Sequence, residues 1–153
     1  MEGLILTHID DDGLRIYGSS FEQNLFRRIE SDLERGVSVY NFKALERPSR
    51  KIATHKGIIT IDYFQGKDEY DIDLSRNLEV QFLLGKKRMI DDGIDNAQIC
   101  GWNIGVCINL IVGLMDGVYR GQYLEALGMT KEEYGTVIDT KIPIHMISEL
   151  SRH

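Results

Sequence analysis

An α+β fold is predicted, on three observations. Short segments rich in Ile, Thr, Tyr and Phe, separated by turn residues, fill the middle of the chain. Phe21, Leu25, Phe26, Ile29 and Leu33 recur at spacings of three and four, the apolar stripe of one early helix. Helix-capping signals and one long uncharged run dominate the last third. Together they predict an amino-terminal and central antiparallel sheet with one early helix, and a helical carboxyl-terminal third packed on one sheet face. The 153 residues, 42% hydrophobic and 27% charged, suit a single domain spanning 1–153 that buries its own core.

Leu4 to Ile9 reads as a strand, Asp10-Asp11-Asp12-Gly13 as a turn, and Leu14 to Tyr17 as the second strand of a hairpin. Ser19 and Ser20 precede Glu22 and Gln23 by three residues, a capping-box start for the helix that ends at Gly36. Val37 to Leu45, Lys51 to His55, Gly57 to Phe64, Glu69 to Leu74 and Leu78 to Leu84 read as strands. Ile99 to Met115 carries no charge over 17 positions, which predicts a buried helix over roughly Ala97 to Tyr119. Asn103, Asn109 and the closing Asp116 argue against a membrane span there. Gln122 to Leu127 reads as a short helix. Thr130 and Glu133 open another, Pro143 limits it, and Ile144 to Leu150 forms a last one.

Charge excludes some functions. The net charge is −6, and Asp62 to Glu79 alone holds six acids against two bases. Such a chain is repelled by phosphate backbones, so no general nucleic-acid binding is expected. A helix-turn-helix reading of Gly128 to Tyr134 would present Glu132 and Glu133 to DNA with only Lys131 to offset them. Met1-Glu2-Gly3-Leu4 lacks the basic start of a signal peptide, and a cytoplasmic, reducing location is expected.

Chemistry finds no motif. Cys100 and Cys107 stand two helical turns apart, about 10 Å on a helix, too far for a disulfide. They read as buried thiols; pairing with His8 or His55 would be the thiol-enzyme alternative. His145 falls on the predicted last helix. Calcium-loop counting from Asp10, Asp71 or Asp91 places Phe21, Phe82 or Trp102 where a glutamate is needed, so no metal is expected. Gly101-Trp102-Asn103-Ile104-Gly105 lacks the lysine and the spacing of a phosphate cradle, and no cofactor is expected.

The remaining feature is the acidic strand. Glu69, Asp71 and Asp73 alternate with Tyr70, Ile72 and Leu74, which puts three carboxylates on one strand face. Like charges so placed oppose folding unless water or a cationic partner screens them. Asp62, Glu69, Tyr70, Asp71, Asp73, Asp91, Asp92 and Asp95 are therefore the candidate partner-binding residues, with a basic protein as partner. Tyr63, Phe64 and Tyr70 are available as aromatic anchors.

An acidic chain of this size, with hairpin strands such as Glu69 to Leu74 beside a helical tail, resembles the immunity proteins of contact-dependent growth inhibition and related toxin systems. The resemblance implies a non-catalytic protein that neutralises a cationic toxin domain, often a nuclease, by covering its cleft or rim. The alternatives are a small enzyme with a thiol or carboxylate site and a helix-turn-helix-like regulator.

Overall fold

Among the described residues five strands run in one direction. The computed structural model describes residues 1–44, 49–63, 78–102, 108–117 and 128–152. The strands are β1 (Glu2–Thr7), β2 (Ser38–Ala44), β3 (Ile58–Tyr63), β4 (Asn96–Gly101) and β5 (Ile144–Ser151). They form one sheet in the order β3-β2-β1-β4-β5, and every neighbouring pair is parallel. Leu4 lies opposite Val39 on one side and Gln98 on the other.

The mixture of helices and strands is as predicted; the antiparallel sheet is not. The reason lies in β1. Its Gly3 to Thr7 are buried without alternation, as in a strand covered on both faces. Parallel neighbours need crossovers, and the described residues between consecutive strands include helices. The helices are α1 (Asp11–Tyr17), α2 (Ser19–Glu34), α3 (Arg50–Ala53), α4 (Leu78–Asp91), α5 (Asn109–Met115) and α6 (Lys131–Asp139).

This topology overturns several local readings. Asp10 to Gly13 is no hairpin turn: the Asp10 carboxylate caps α1 by accepting from the Gly13 amide at 2.6 Å, and Leu14 to Tyr17 is helical. Lys51 to His55 falls on α3 and the turn after it, and Leu78 to Leu84 opens α4. The uncharged run does not form one helix. It gives β4 first, with Ala97, Ile99 and Cys100 buried, and only then α5. A short all-apolar segment fits a buried parallel strand as well as a buried helix. Ile144 to Leu150 is β5, not a helix. The early helix stands as α2, although its cap is Gly18 with no side-chain bond rather than a serine. The Thr130 cap is present, its hydroxyl accepting from the Glu133 amide at 3.1 Å. The predicted strand Glu69 to Leu74 and helix Gln122 to Leu127 lie outside the described residues.

Helices cover both faces of the sheet. Leu4, Leu6, Val39 and Cys100 pack with Leu14 of α1, Phe21, Leu25 and Ile29 of α2, and Ile52 of α3. Ile5, Tyr40, Phe42 and Ile99 pack with Val80, Phe82 and Leu83 of α4, Ile111 and Leu114 of α5, and Val137 and Ile138 of α6. Two buried charges tie layers together. Asp32, 1% exposed, is held by Arg28 at 3.0 Å and Arg35 at 2.6 Å, and Arg28 also donates to the Gln98 side chain of β4. The Lys86 ammonium of α4 donates to the Leu114 carbonyl of α5 at 2.8 Å and to the Ile138 carbonyl of α6 at 3.3 Å. Both acceptors lie in the last turns of their helices, where a cation is favoured. Among the described residues no helix is long and apolar enough to cross a membrane.

Candidate ligand site at the carboxyl edge of the sheet

From β1 the chain winds outward through β2 to β3, whereas β4 and β5 lie on the other side of β1. The winding therefore reverses between β1 and β4. In open parallel sheets the crevice beyond the carboxyl ends of two such strands is where ligands bind. The residues there are Thr7 to Gly13 after β1, and Gly101 and Trp102 at the end of β4.

The β1 exit is unusual in its backbone. Among the described residues His8 is the one non-glycine with positive φ, at 53°. Its amide still donates to the Phe42 carbonyl of β2 at 3.2 Å, so the turn is tied to the sheet. A non-glycine residue in the left-handed region costs on the order of 1–3 kcal/mol, and such strain concentrates at functional sites. Asp10 follows, half-buried, with its Oδ1 as the α1 cap. Thr7 is buried, and its hydroxyl has no hydrogen-bond partner among the described residues.

The β4 exit is fitted against it. A Cβ on Gly101 would overlap the Thr7 carbonyl oxygen, and φ there is +137°. This close approach lets the Trp102 amide donate to the Thr7 carbonyl at 3.1 Å and the Arg152 amide to the Gly101 carbonyl at 2.8 Å. The buried Trp102 indole lies 5.0 Å from the Tyr17 ring and 5.6 Å from the Phe21 ring. The Arg152 guanidinium covers Phe21 at 4.5 Å. The indole Nε1 donates to Asp10 Oδ1 at 3.3 Å. One carboxylate oxygen of Asp10 thus takes a donor from α1 and another from the residue that follows β4.

Asp10, Asp11 and Asp12 lie together in this turn, and Asp12 is paired with Arg15, both exposed. Asp62 is the penultimate residue of β3 and stands toward the same edge. Among the described residues no three His, Cys, Asp or Glu side chains gather as a metal-ligand set.

Among the partner-binding candidates that are described, Asp62 stands at one edge of the sheet and Asp91, Asp92 and Asp95 at the other. Glu69, Tyr70, Asp71 and Asp73 lie outside the described residues. Asp91, at the end of α4, and Asp92 and Asp95, between α4 and β4, sit at the amino edge, opposite to Asp62. Each is met by a cation of the chain itself. Asp91 accepts from Lys87 at 2.7 Å, Asp92 from Arg88 at 3.0 Å, and Asp95 pairs with the terminal ammonium at 3.1 Å. That ammonium holds the Asp95 carboxyl below the usual carboxylate range. Asp92 also accepts from the Tyr40 hydroxyl at 2.7 Å; burial, reinforced by this bond, raises the phenol above its ordinary value.

Of the two thiols, Cys100 is described. Cys100 is fully buried on β4, and burial pushes its thiol up to about 12, which makes it a poor nucleophile. Cys107 lies outside the described residues. His55 follows α3 rather than sitting in a strand; its Nε2 is 2.7 Å from Glu30 and its Nδ1 accepts from the Gly57 amide. His145 is exposed on β5. Sequence reasoning missed Asp10 and Trp102 as site residues, and it took His8 only as a possible base for a thiol. The available signal was an apolar strand that ends in Thr-His-Ile-Asp and runs straight into a helix. No protein-family model, no curated protein and no solved structure matches the chain.

Proposed function

We propose that the chain binds a small molecule over the carboxyl ends of β1 and β4, and that His8 and Asp10 are the side chains that meet it. The observation that carries this reading is the coincidence of the left-handed His8 with the reversal in winding. Strain is tolerated where a function requires it, and this strain stands at the kind of edge where open parallel sheets commonly bind ligands. An imidazole and a carboxylate two residues apart can hydrogen-bond a ligand and move a proton near neutral pH. That makes a small acid–base enzyme, rather than a non-catalytic binder, the activity best supported by this arrangement.

Trp102 is the sole tryptophan, so its fluorescence reports on this edge alone. Titration with a panel of nucleotides, sugar phosphates, carboxylic acids and amines is expected to yield a ligand that changes this emission. In amide NMR spectra the same ligand should shift His8, Asp10 to Gly13 and Gly101. Ligands that move only residues of the groove between α4 and α6, where Lys87, Ile90, Thr136 and Val137 line about 310 Å³, would refute the assignment.

A second reading is favoured by one feature of the sheet. Among the described residues β3 is an edge strand with Asp62 near its carboxyl end, and the acid-rich segment follows it directly in sequence. Capture of a cationic protein, of the toxin-neutralising kind, would use Asp62, Glu69, Tyr70, Asp71 and Asp73. Replacing Glu69, Asp71 and Asp73 together by Ala should then slow association and flatten its salt dependence; an unchanged rate would remove this reading.

A further inference from the structure

Asp10 is held from two sides by groups far apart in sequence. The Gly13 amide donates to Oδ1 at 2.6 Å from within α1, and the Trp102 indole donates to the same oxygen from 92 residues away. The indole is itself fixed, edge-on to Tyr17 and tilted against Phe21, with its amide bonded to Thr7. Two glycines make this approach possible. A Cβ on Gly13 would stand 2.7 Å from the indole Cε2 and 2.9 Å from Asp10 Oδ1, and Gly101 allows β4 to close on Thr7. A helix cap needs only the first donor. The second donor, on a ring that cannot turn away, goes beyond capping. It saturates Oδ1 and leaves Oδ2 without a partner among the described residues.

Resting on the ligand site proposed above, we infer that Trp102 is a positioning residue for Asp10: its indole N–H, together with the Gly13 amide, locks Oδ1 and presents Oδ2 to the bound molecule. A carboxylate held in one orientation needs no reordering when a ligand arrives, and both binding and proton transfer gain from that. The ligand atom that meets Oδ2 is then a hydrogen-bond donor, an N–H, O–H or ammonium group, because the carboxylate can only accept.

The test separates packing from positioning. Trp102→Phe keeps an aromatic ring beside Tyr17 and Phe21 and removes only the N–H and the second ring. In the free protein, three-bond couplings should show Asp10 χ1 passing from one rotamer to an average, and the Gly13 amide proton should shift. The ligand found by the fluorescence panel, measured by calorimetry, should bind about tenfold more weakly. Asp10→Ser gives a second, independent reading. Serine retains the cap, so the fold persists, while the Trp102 indole proton should move upfield on losing its carboxylate acceptor. An indole resonance unchanged in Asp10→Ser, or an Asp10 rotamer unchanged in Trp102→Phe, overturns the positioning role whatever the ligand. Loss of the rotamer with affinity unchanged overturns instead the contact assigned to Oδ2, and with it the part of Asp10 in the ligand site.

Discussion

Replacing Gly101 by Ala tests the closure of β4 on β1, on which the whole edge depends. The added methyl would overlap the Thr7 carbonyl oxygen and lie 2.9 Å from its carbon and 3.0 Å from its nitrogen. These are main-chain atoms in the central strand, so they cannot swing aside. Ala at a φ of +137° carries about 1–3 kcal/mol of backbone strain. Overpacking adds about 1–3 kcal/mol. Parting the strands weakens the bonds from the Trp102 amide to Thr7 and from the Arg152 amide to Gly101, about 0.5–1.5 kcal/mol each. A less flexible unfolded chain returns only about 0.4–1 kcal/mol. The net loss is thus at least about 2 kcal/mol. Gly135, inside α6 with nothing near its would-be Cβ, is the control, and Ala there should stabilise by about 0.5–1 kcal/mol. Urea unfolding of both variants measures the pair. With an m of about 1–3 kcal/mol/M, the Gly101 variant should lose at least about 0.7–2 M in midpoint. A Gly101→Ala protein within about 1 kcal/mol of the parent would refute the close approach.

Three further outcomes are expected. In a Cys107→Ser background, Cys100 should resist a thiol reagent at pH 8 until denaturant is added, because burial raises it to about 12 and leaves almost no thiolate; stoichiometric labelling of the native protein would contradict this. The Tyr40 phenol loses its proton at higher pH folded than unfolded, so its contribution is complete below about pH 10 and fades as pH rises past that value. Tyr40→Phe should cost about 1 kcal/mol at neutral pH and should lose part of the alkaline decline; an identical decline in both proteins, followed by circular dichroism, would rule out the linkage. Asp32→Asn should destabilise by about 2–4 kcal/mol, since Arg28 is left against Gln98 without its carboxylate, and a chemical-denaturation midpoint near the parent's would show the network to be dispensable.

The fold was legible where a segment had only one way to bury its apolar side. α2 is such a segment: its stripe at spacings of three and four commits it to one face, and Phe21, Leu25 and Ile29 bury it as read. The Thr130 cap was legible for the same reason, being a local contact between Thr130 and Glu133. Sheet direction was not. Parallel pairing is decided by what covers each face, and β1 declares it only through a lack of alternation that a buried helix shares. The run from Ile99 onward failed on that ambiguity. The site was less legible still. Asp10 reads as a turn residue until Trp102 is brought across 92 positions to meet it, and no spacing within the chain encodes that meeting.

A count of acids locates no surface; the edge to which the sheet assigns each acid does. Asp91, Asp92 and Asp95 look from sequence like an extension of the acidic strand, yet they surround the amino edge, where Lys87, Arg88 and the terminal ammonium answer them one for one. An acid already paired gains little from a new cationic partner, because the old bond must be given up first. At the carboxyl edge the Asp10 carboxylate is engaged by neutral N–H donors, which fix its direction without cancelling its charge. Orientation without neutralisation is what a group needs to receive a ligand, which is why Asp10 and its two donors carry the ligand site proposed above.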